Sequence, residues 1–569
     1  MKRGPRLVAG LAAALASLAI PATANAATIA VTTTSDDFGS DSSSCSLREA
    51  VQSSNTDSAF GGCTTGTNLA EDTILLTSGQ MYDLTIPDVS DDNTNASGDL
   101  DLLGSENVRV TTTGAAQATI DANGDGLGGD PATTNDRALH MVNAGAVTLD
   151  NLRITDGSTT SATGSGGAIW LQLGGVLTIS NSTVNANHTT EVAGAMRLDA
   201  STNIIDSAIH SNTGGDGGAI WIEVGTLDVS GSTITGNSAN GTTVATTGVG
   251  GAMFVSSSTG SATLRNTTVL GNTANADGGA IYGLGAVTLA NVTVDGNTAD
   301  ADLGGPFPGN GGGVVGSNVT ARNSIVAKNI DASTTGTVDR EDCDGTVNSE
   351  GYNLIETTSG CTITGTTTGN ITGTDPMLDV FDAHGGPLES QPLLPGSPAI
   401  NAGNPAAPGS GAPACEAGDQ RGFARGGLAL RCDMGAFEVQ PPVLDPIGSK
   451  SVQAGQSLTF TVSATDPDPF NTLVLSATNL PAGAIFTPAT RTFSWIPSAS
   501  QAGTFPNVQF AVSNGTLSDS EAIAISVSPA PTPAASAPPI ASKGGTKKKC
   551  KKHKNKAAAA KKCKKRKQP

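Results

Sequence analysis

Short runs of alternating apolar and polar residues are the most regular feature of the chain between residues 141 and 330. Leu177–Ile179, Leu227–Val229 and Val287–Leu289 each place one polar residue between two apolar residues. This two-residue period is typical of a β-strand, in which successive side chains point to opposite faces. We therefore expect the apolar members of these runs to point into a core.

Two further patterns recur in step with these runs and define a repeat. A seven-residue segment closes on asparagine at intervals of 25, 25, 35, 25 and 32 residues. Its closing residues are Asn187, Asn212, Asn237, Asn272, Asn297 and Asn329. A glycine mark recurs at Gly167, Gly194, Gly218, Gly251, Gly279 and Gly312. A base period of 25 residues with insertions is too short for two-helix repeats and is typical of one coil of a parallel β-helix.

The closing asparagines are predicted to be structural residues. Stacked from coil to coil, they can form an amide ladder at a bend of the β-helix. Asparagine and glycine also suit the left-handed conformations that bends require. Because each coil contacts only its neighbours, we expect caps at the two ends of the stack.

The first 26 residues have the pattern of a signal peptide. A positive start (Lys2, Arg3 and Arg6) precedes an apolar run, Leu7–Ile20, and a small-residue cleavage site, Ala24–Ala26. The apolar run is too short for an ordinary membrane span, although a retained anchor is the alternative. We expect a secreted protein, extracellular or at the cell surface, with no transmembrane segment after signal removal.

The cysteines agree with an oxidising compartment. All eight fall in local pairs separated by 18, 18, 17 and 13 residues. We favour disulfides for the first three pairs, although eight cysteines allow about 105 connectivities. The candidates are Cys45 with Cys63, Cys343 with Cys361, and Cys415 with Cys432. The chain has no C-x-x-C motif, so neither a redox motif nor a cysteine-based zinc site is indicated. The role of Cys550 and Cys563 is left open.

Charge is distributed unevenly along the chain. The net charge is −19, yet residues 543–569 carry 14 basic residues and no acidic residue. Residues 27–542 therefore carry 14 basic against 50 acidic residues. Such an acidic body is not expected to bind nucleic acid, whereas the tail can bind anionic cell-envelope polymers or remain a solvated extension.

Two segments carry a family resemblance. Cys45–Ala50 resembles the motif that names the CSLREA domain, an N-terminal cap of secreted β-helix proteins, and Gly98–Asp101 is similar to a segment of such proteins. Residues 320–440 resemble the "choice-of-anchor Q" domain. The matching segments are Gly385–Pro387, Leu394–Ile400, Asp419–Gly422 and Cys432–Glu438. The resemblance implies an exported, envelope-associated bacterial protein and carries no known catalytic constellation.

Residues 441–529 change in composition and predict a small β-sandwich. The strand candidates are Ser457–Ala464, Leu473–Ala477, Thr492–Ile496, Val508–Ser513 and Ala522–Val527. Ala464–Asp468, Leu480–Gly483 and Phe493–Pro497 resemble segments of the Ig-like modules of bacterial surface proteins.

The chain is therefore predicted to be all-β, with a right-handed parallel β-helix, a small Ig-like β-sandwich and a disordered basic tail. The predicted parts are a signal peptide (1–26), a cap with the first coils (27–140), repeats (141–330), a β-helix end (331–440), a sandwich (441–529), a linker (530–542) and a tail (543–569).

One outward column is a candidate glycan-binding surface. Three positions after the marked glycines stand Trp170, Arg197, Trp221, Phe254 and Tyr282. Aromatic rings can stack on the apolar faces of sugars. The alternative is that the column packs under other parts of the chain or supplies stacking energy between coils.

Acidic residues on adjacent coils are weak catalytic candidates. Asp199 and Glu223 are expected near the ~5–5.5 Å separation of a retaining glycosidase pair. Glu191 with Asp216, and Asp277 with Asp302, are predicted to share registers too, so no pair is privileged.

A weak calcium site is the other chemical possibility. Asp121, Asn123 and Asp125 resemble the start of an EF-hand loop, and Asp130 follows closely. The twelfth position is Ala132, so the bidentate glutamate is missing, and a plain Asx-turn loop is the alternative. No other cofactor is predicted.

These features favour an exported surface protein that binds cell-envelope polymers or extracellular glycans without catalysis. The alternative function is a polysaccharide lyase or glycoside hydrolase on a β-helix scaffold.

Overall fold

A computed structural model describes residues 26–68, 70–87, 93–104, 106–122, 136–159, 165–303, 309–332, 342–426, 431–468 and 471–532. Within this part, the chain forms a parallel β-helix followed by an antiparallel β-sandwich, as the sequence predicted. Residues 1–25 of the predicted signal peptide, the calcium candidates Asn123, Asp125 and Asp130, and the basic tail lie outside the described residues.

The central coils of the β-helix each contribute one strand to each of three main faces, which we call sheets 1, 2 and 3. Sheet 1 contains Leu100–Leu103, Leu139–Val142, Ile169–Leu171, Met196–Leu198, Ile220–Ile222, Met253–Val255 and Ile281–Gly283. Sheet 2 contains Thr28–Ala30, Asp72–Leu76, Val108–Thr112, Val147–Asp150, Leu177–Ser180, Thr202–Ile205, Gly225–Ser230, Gly260–Arg265, Ala286–Ala290 and Cys361–Gly365. Two long strands, Val314–Arg322 and Cys343–Gly351, run through both sheets and join them.

Sheet 3 and a short fourth sheet close each coil. Sheet 3 contains Met81–Asp83, Ala118–Asp121, Leu152–Thr155, Thr183–Asn185, Ala208–His210, Thr233–Thr235, Thr268–Leu270, Thr293–Asp295, Ile325–Ala327, Leu354–Ile355 and Ile371–Thr372. The fourth sheet contains Ser158–Thr159, His188–Thr189, Thr213–Gly214, Ser238–Ala239, Thr273–Ala274, Thr298–Ala299 and Ile330–Asp331. Described strands in these sheets pair in parallel with the same face of the next coil.

The core of the β-helix is filled by the apolar members of the alternating runs. Leu177, Ile179, Leu227 and Val229 are all at most 1% exposed, as predicted. Leu227 lies in register with Thr202 below it and Ala262 above it. Because the side-chain period is two, one register fixes both the inward column and the outward column of each sheet.

The closing asparagines form a buried ladder between sheet 3 and the fourth sheet. Each side-chain amide from Asn187 to Asn297 donates to Oδ1 of the next asparagine at 2.8–2.9 Å. The backbone N–H of each of these residues donates to the same oxygen. All six asparagines are at most 1% exposed, so the ladder supplies buried amides with partners.

The ladder ends on a carboxylate that the sequence analysis missed. Asn329 donates through Nδ2 and its backbone N–H to Oδ1 of Asp342, at 2.9 and 3.2 Å. The backbone N–H of Thr357 donates to the other oxygen of Asp342 at 2.6 Å. Burial raises the pKa of Asp342 to about 7.

The glycine mark has a steric cause. A Cβ added to Gly194, Gly218 or Gly251 would lie 2.1–2.2 Å from the carbonyl oxygen of the marked glycine in the next coil. Any larger residue would therefore force adjacent coils apart at this corner. The same argument accounts for the strict recurrence of glycine in step with the asparagines.

The Cys45–Ala50 segment leads into a helix that packs against the first strands of the β-helix and that we call the cap helix. This helix is Leu47–Thr56, where Ser46 and Glu49 form a capping box. Arg48 is fully buried and pairs with Asp36. Its guanidinium also donates to the carbonyl oxygens of Gly98 and Asp99, which joins the two segments that carried the resemblance.

Residues 376–426 and 431–440 lie along the outer face of sheet 3 with little regular structure. The side chain of Thr268 donates to Gln420 at 2.6 Å, and the side chain of Gln391 donates to Asp295 at 2.8 Å. An apolar cluster that includes Ile325, Leu378, Leu393, Met434 and Phe437 lies beneath this segment. One face of the β-helix is therefore covered by the chain itself.

Three disulfides close local loops, and they are the pairs the spacing favoured. Cys45 bonds Cys63, Cys343 bonds Cys361, and Cys415 bonds Cys432. The first ties the cap helix to the loop that follows it. The last lies within the covering segment.

The C-terminal sandwich has its own core around Phe493, Trp495, Phe510 and Ile525. One sheet contains Val474–Thr478, Gly503–Ser513, Ser518–Ser528 and Lys450–Gln453, and the other contains Leu458–Thr461, Thr492–Trp495 and Ile485–Thr487. A short pair, Val443–Leu444 with Ala464–Thr465, and two 3-10 turns, Pro488–Thr490 and Ala499–Gln501, complete it. The strands at 443, 450 and 485 were not predicted from the sequence.

We predict that Asn237→Ala lowers the free energy of unfolding by about 4 kcal/mol, because two buried N–H groups of Asn212 lose their acceptor. Urea denaturation of the full chain measures this change. Asn240→Ala alters an exposed asparagine three residues away and should cost less than about 0.5 kcal/mol. Equal losses in the two variants would contradict a stabilising ladder.

Asp342 should make stability fall as the pH rises. Between about pH 4 and 7 the folded chain keeps a proton on Asp342 that the unfolded chain has lost. The contribution of protonated Asp342 to the stability of the folded chain is fully present below pH 4. It is lost as the pH rises through 7, so the free energy of unfolding falls by up to about 4 kcal/mol.

Asp342→Asn removes this titrating group, so the stability difference between wild type and variant should shrink as the pH rises from 4 to 8. Thermal and urea unfolding across this range measure the difference. The exposed Asp83→Asn serves as the control and should show no such trend. A difference that widens with pH would contradict the raised pKa.

Candidate functional site

The predicted aromatic column exists on the outer face of sheet 1. Trp170, Arg197, Trp221, Phe254 and Tyr282 are paired in register through five consecutive coils. Their side chains are half-buried. Two further residues extend the column toward the N-terminus, because His140 pairs with Trp170 and Asp101 pairs with His140.

The rings of this column stack mainly on each other and on arginine. The Arg197 guanidinium carbon lies 5.1 Å from the Trp170 ring centroid and 4.7 Å from the Trp221 ring centroid. His140 stacks on Trp170 with ring centroids 4.8 Å apart, and Phe254 lies 5.2 Å from Tyr282. Because both faces of Trp170 meet neighbours in the column, this geometry supports the alternative role, stacking energy between coils.

The two weak catalytic candidates lie beside Arg197. Its Nε contacts Asp199 Oδ2 at 3.1 Å and its Nη2 contacts Glu223 Oε2 at 3.0 Å. The indole N–H of Trp170 also donates to Asp199 at 3.0 Å. Asp199 is nearly buried while Glu223 is exposed. Arg197 therefore contacts both carboxylates. Its positive charge occupies the position that a substrate would need if the two carboxylates acted as an acid–base pair.

In the other two acidic pairs, Asp216 and Asp277 each make contacts outside the predicted pair. Asp216 forms a parallel β-bridge with Val192 rather than with Glu191. Its Oδ1 accepts hydrogen bonds from the backbone N–H groups of residues 247–249. Asp277 accepts a hydrogen bond from the side-chain amide of Asn310 at 3.1 Å. Burial raises the pKa of both Asp216 and Asp277. Both carboxylates thus organise loops.

A second outward column, on sheet 2, is long and polar. We call it the polar column. Its members are paired in register through nine coils. They are Thr148, Thr178, Asn203, Asp228, Thr263, Thr288, Thr320, Asn348 and Thr364. Each is half-buried or exposed.

The polar column was not singled out as a site from the sequence. Its signal is the polar middle residue of the alternating runs, for example Thr178 in Leu177–Ile179 and Asp228 in Leu227–Val229. These residues look unremarkable singly. They become a surface only when the register places them above one another.

Candidate metal ligands occur in one cluster of the described residues. Ligand atoms of Asp99, Asp101 and His140 all lie within 4.8 Å of one another. Asp121, from the calcium candidates, ends a strand of sheet 3, and its backbone oxygen accepts from Leu84 at 2.8 Å. Asp121 is not a member of the cluster.

The comparisons with known proteins concern the C-terminal sandwich. Residues 441–528 match the family model described as "Putative Ig domain". No curated protein matches the chain. Among the described residues, no helix has the length and apolar character to span a membrane. An Ig-like module after a parallel β-helix is consistent with a surface or adhesion-type protein.

We predict that Arg197→Gln destabilises the chain by about 2 kcal/mol, because Asp199 and two tryptophans lose their cation. Tryptophan emission should shift to longer wavelength as water reaches Trp170 and Trp221. Thermal unfolding and fluorescence measure the two effects.

Arg153→Gln is the matched control. Arg153 is exposed on sheet 3 and its side chain bonds Asn185. This variant should change neither stability nor emission appreciably. Unaltered stability in Arg197→Gln would contradict a structural role for the arginine.

Proposed function

We propose that this protein is exported, associates with the cell surface and binds an extended neutral glycan without catalysis. The glycan lies along the polar column of sheet 2. We further propose that residues 28–100 and 320–440 are the cap and the C-terminal part that their resemblance implies. The buried roles of Arg48 and of the covering segment support this.

The register of the polar column is the observation that carries the proposal. Strands in neighbouring coils are about 4.8 Å apart, so nine rungs extend over about 38 Å. Hydroxyl and amide groups repeat along this line and can both donate and accept hydrogen bonds. A linear polymer with many hydroxyl groups matches such a surface better than a small molecule, which needs a concave pocket.

Charge favours a neutral polymer over a polyanion. The body of the chain carries far more acidic than basic residues. Within the polar column, Asp228 is engaged by Arg265 from the adjacent coil. The basic tail, in contrast, would attach to anionic envelope polymers, with an affinity that falls as salt concentration rises.

The test is a binding panel of neutral polysaccharides with the full chain. Thr178→Val, Thr263→Val and Thr288→Val together remove three hydroxyl groups while keeping the side-chain shape. We expect at least a ten-fold loss of affinity for the bound polysaccharide, with a melting temperature close to that of the wild type.

The matched control replaces two outward threonines of sheet 3, Thr183→Val and Thr235→Val, which should leave binding unchanged. Equal binding by the triple variant and the wild type would exclude the polar column. Failure of the wild type to bind any polysaccharide in the panel would overturn the proposed function. Release of reducing ends or unsaturated sugars would favour the enzymatic alternative.

A further inference from the structure

A buried cluster at the first coils combines two carboxylates with an imidazole. Asp101 lies in the strand Leu100–Leu103 and is in register with His140 on the next coil. Asp99 immediately precedes this strand. Asp99, Asp101 and His140 are 7%, 1% and 2% exposed, respectively.

Several polar atoms of the cluster lack hydrogen bonds. Both ring nitrogens of His140 and Oδ1 of Asp101 are buried without a hydrogen-bond partner. The nearest approach is 3.4 Å between His140 Nδ1 and Asp101 Oδ1, with an alignment that does not form a hydrogen bond. Buried polar atoms of this kind are rare because each costs about 1–3 kcal/mol.

The spacing of these atoms suits two ligands of one ion. In a tetrahedral zinc site with bonds of about 2.0–2.1 Å, ligand atoms lie about 3.4 Å apart. The nitrogen and oxygen of His140 and Asp101 have this separation. An ion between them would satisfy both atoms at once.

The charges around the cluster also favour a cation. Asp99, Asp101 and Asp136 contribute carboxylates, whereas Arg137 contributes a positive charge and pairs with Asp99 at 2.9 Å. The other nearby arginine, Arg48, is engaged by Asp36. Three carboxyl groups therefore lie with a single arginine in this cluster, an acidic composition that suits a divalent cation.

We propose that Asp99, Asp101 and His140 bind a divalent transition-metal ion, and that zinc is the ion that fits this donor set. An imidazole ligand disfavours calcium and magnesium, which prefer oxygen donors. Arg48 and Asn55, from the cap, bond the backbone of residues 98–101. Residues 98–101 thus contact the N-terminal cap. The ion therefore links these residues to His140 on the next coil.

The test uses the full chain after removal of metal by a chelator. Zinc should bind with a stoichiometry of one, measured by calorimetry and by metal analysis after dialysis. It should raise the melting temperature by several degrees. Cobalt should give the visible absorption of a tetrahedral site. Calcium should produce no comparable stabilisation.

His140→Gln and Asp101→Asn should each weaken zinc binding at least ten-fold. His210→Gln is the control, because His210 is half-buried on sheet 3 and far from the cluster along the chain. If His140→Gln fails to fold, the zinc stoichiometry and the cobalt spectrum of the wild type still test whether the cluster binds a metal ion. Absence of stoichiometric zinc in the wild type, zinc binding unaffected by Asp101→Asn, or stabilisation by calcium instead would overturn the proposal.

Discussion

The hydrogen bonds between equivalent positions of successive coils determine the remaining architecture. Backbone pairing alone would tolerate a shift, since every parallel register satisfies the same N–H and C=O groups. The asparagine ladder does not tolerate it. Each buried amide from Asn187 to Asn329 donates to a side-chain oxygen on the residue directly above it, and several also donate to backbone carbonyl oxygens of their own coil or the coil below. A one-residue slip would leave donors buried without partners and would turn the core side chains outward.

Because the ladder fixes one register, it fixes every outward column at the same time. The stack of Trp170, Arg197 and Trp221 and the polar column of sheet 2 are two results of a single alignment. They differ in what their side chains do. Rings and guanidinium groups pack against each other along the aromatic column, whereas the polar column consists mainly of half-buried hydroxyl and amide groups. Similar periodicities thus produce one structural face and one candidate binding face.

The fold could be predicted from the sequence where a repeated residue pattern reflects contacts between equivalent positions of neighbouring coils. Alternation identified the core residues around Leu177 and Leu227, and the recurring asparagines identified the ladder. Other features depend on contacts between residues that do not recur at the repeat interval. Asp342 ends the ladder 13 residues after Asn329, outside the repeat interval. The insertion of Arg197 between two rings depends on side-chain conformation. The covering segment, residues 376–440, has no periodicity, so its position along sheet 3 could not be predicted.

The distribution of covering elements favours sheet 2 as the candidate binding face. The cap helix Leu47–Thr56 packs against the first strands, and residues 376–426 and 431–440 cover part of sheet 3. On sheet 1, the aromatic and arginine side chains stack upon one another. In the described part of the chain, the polar column of sheet 2 keeps its side chains half-buried or exposed along nine coils. A partner of extended shape would meet there a regular array of groups that are held in place before it arrives, so that binding orders few protein side chains.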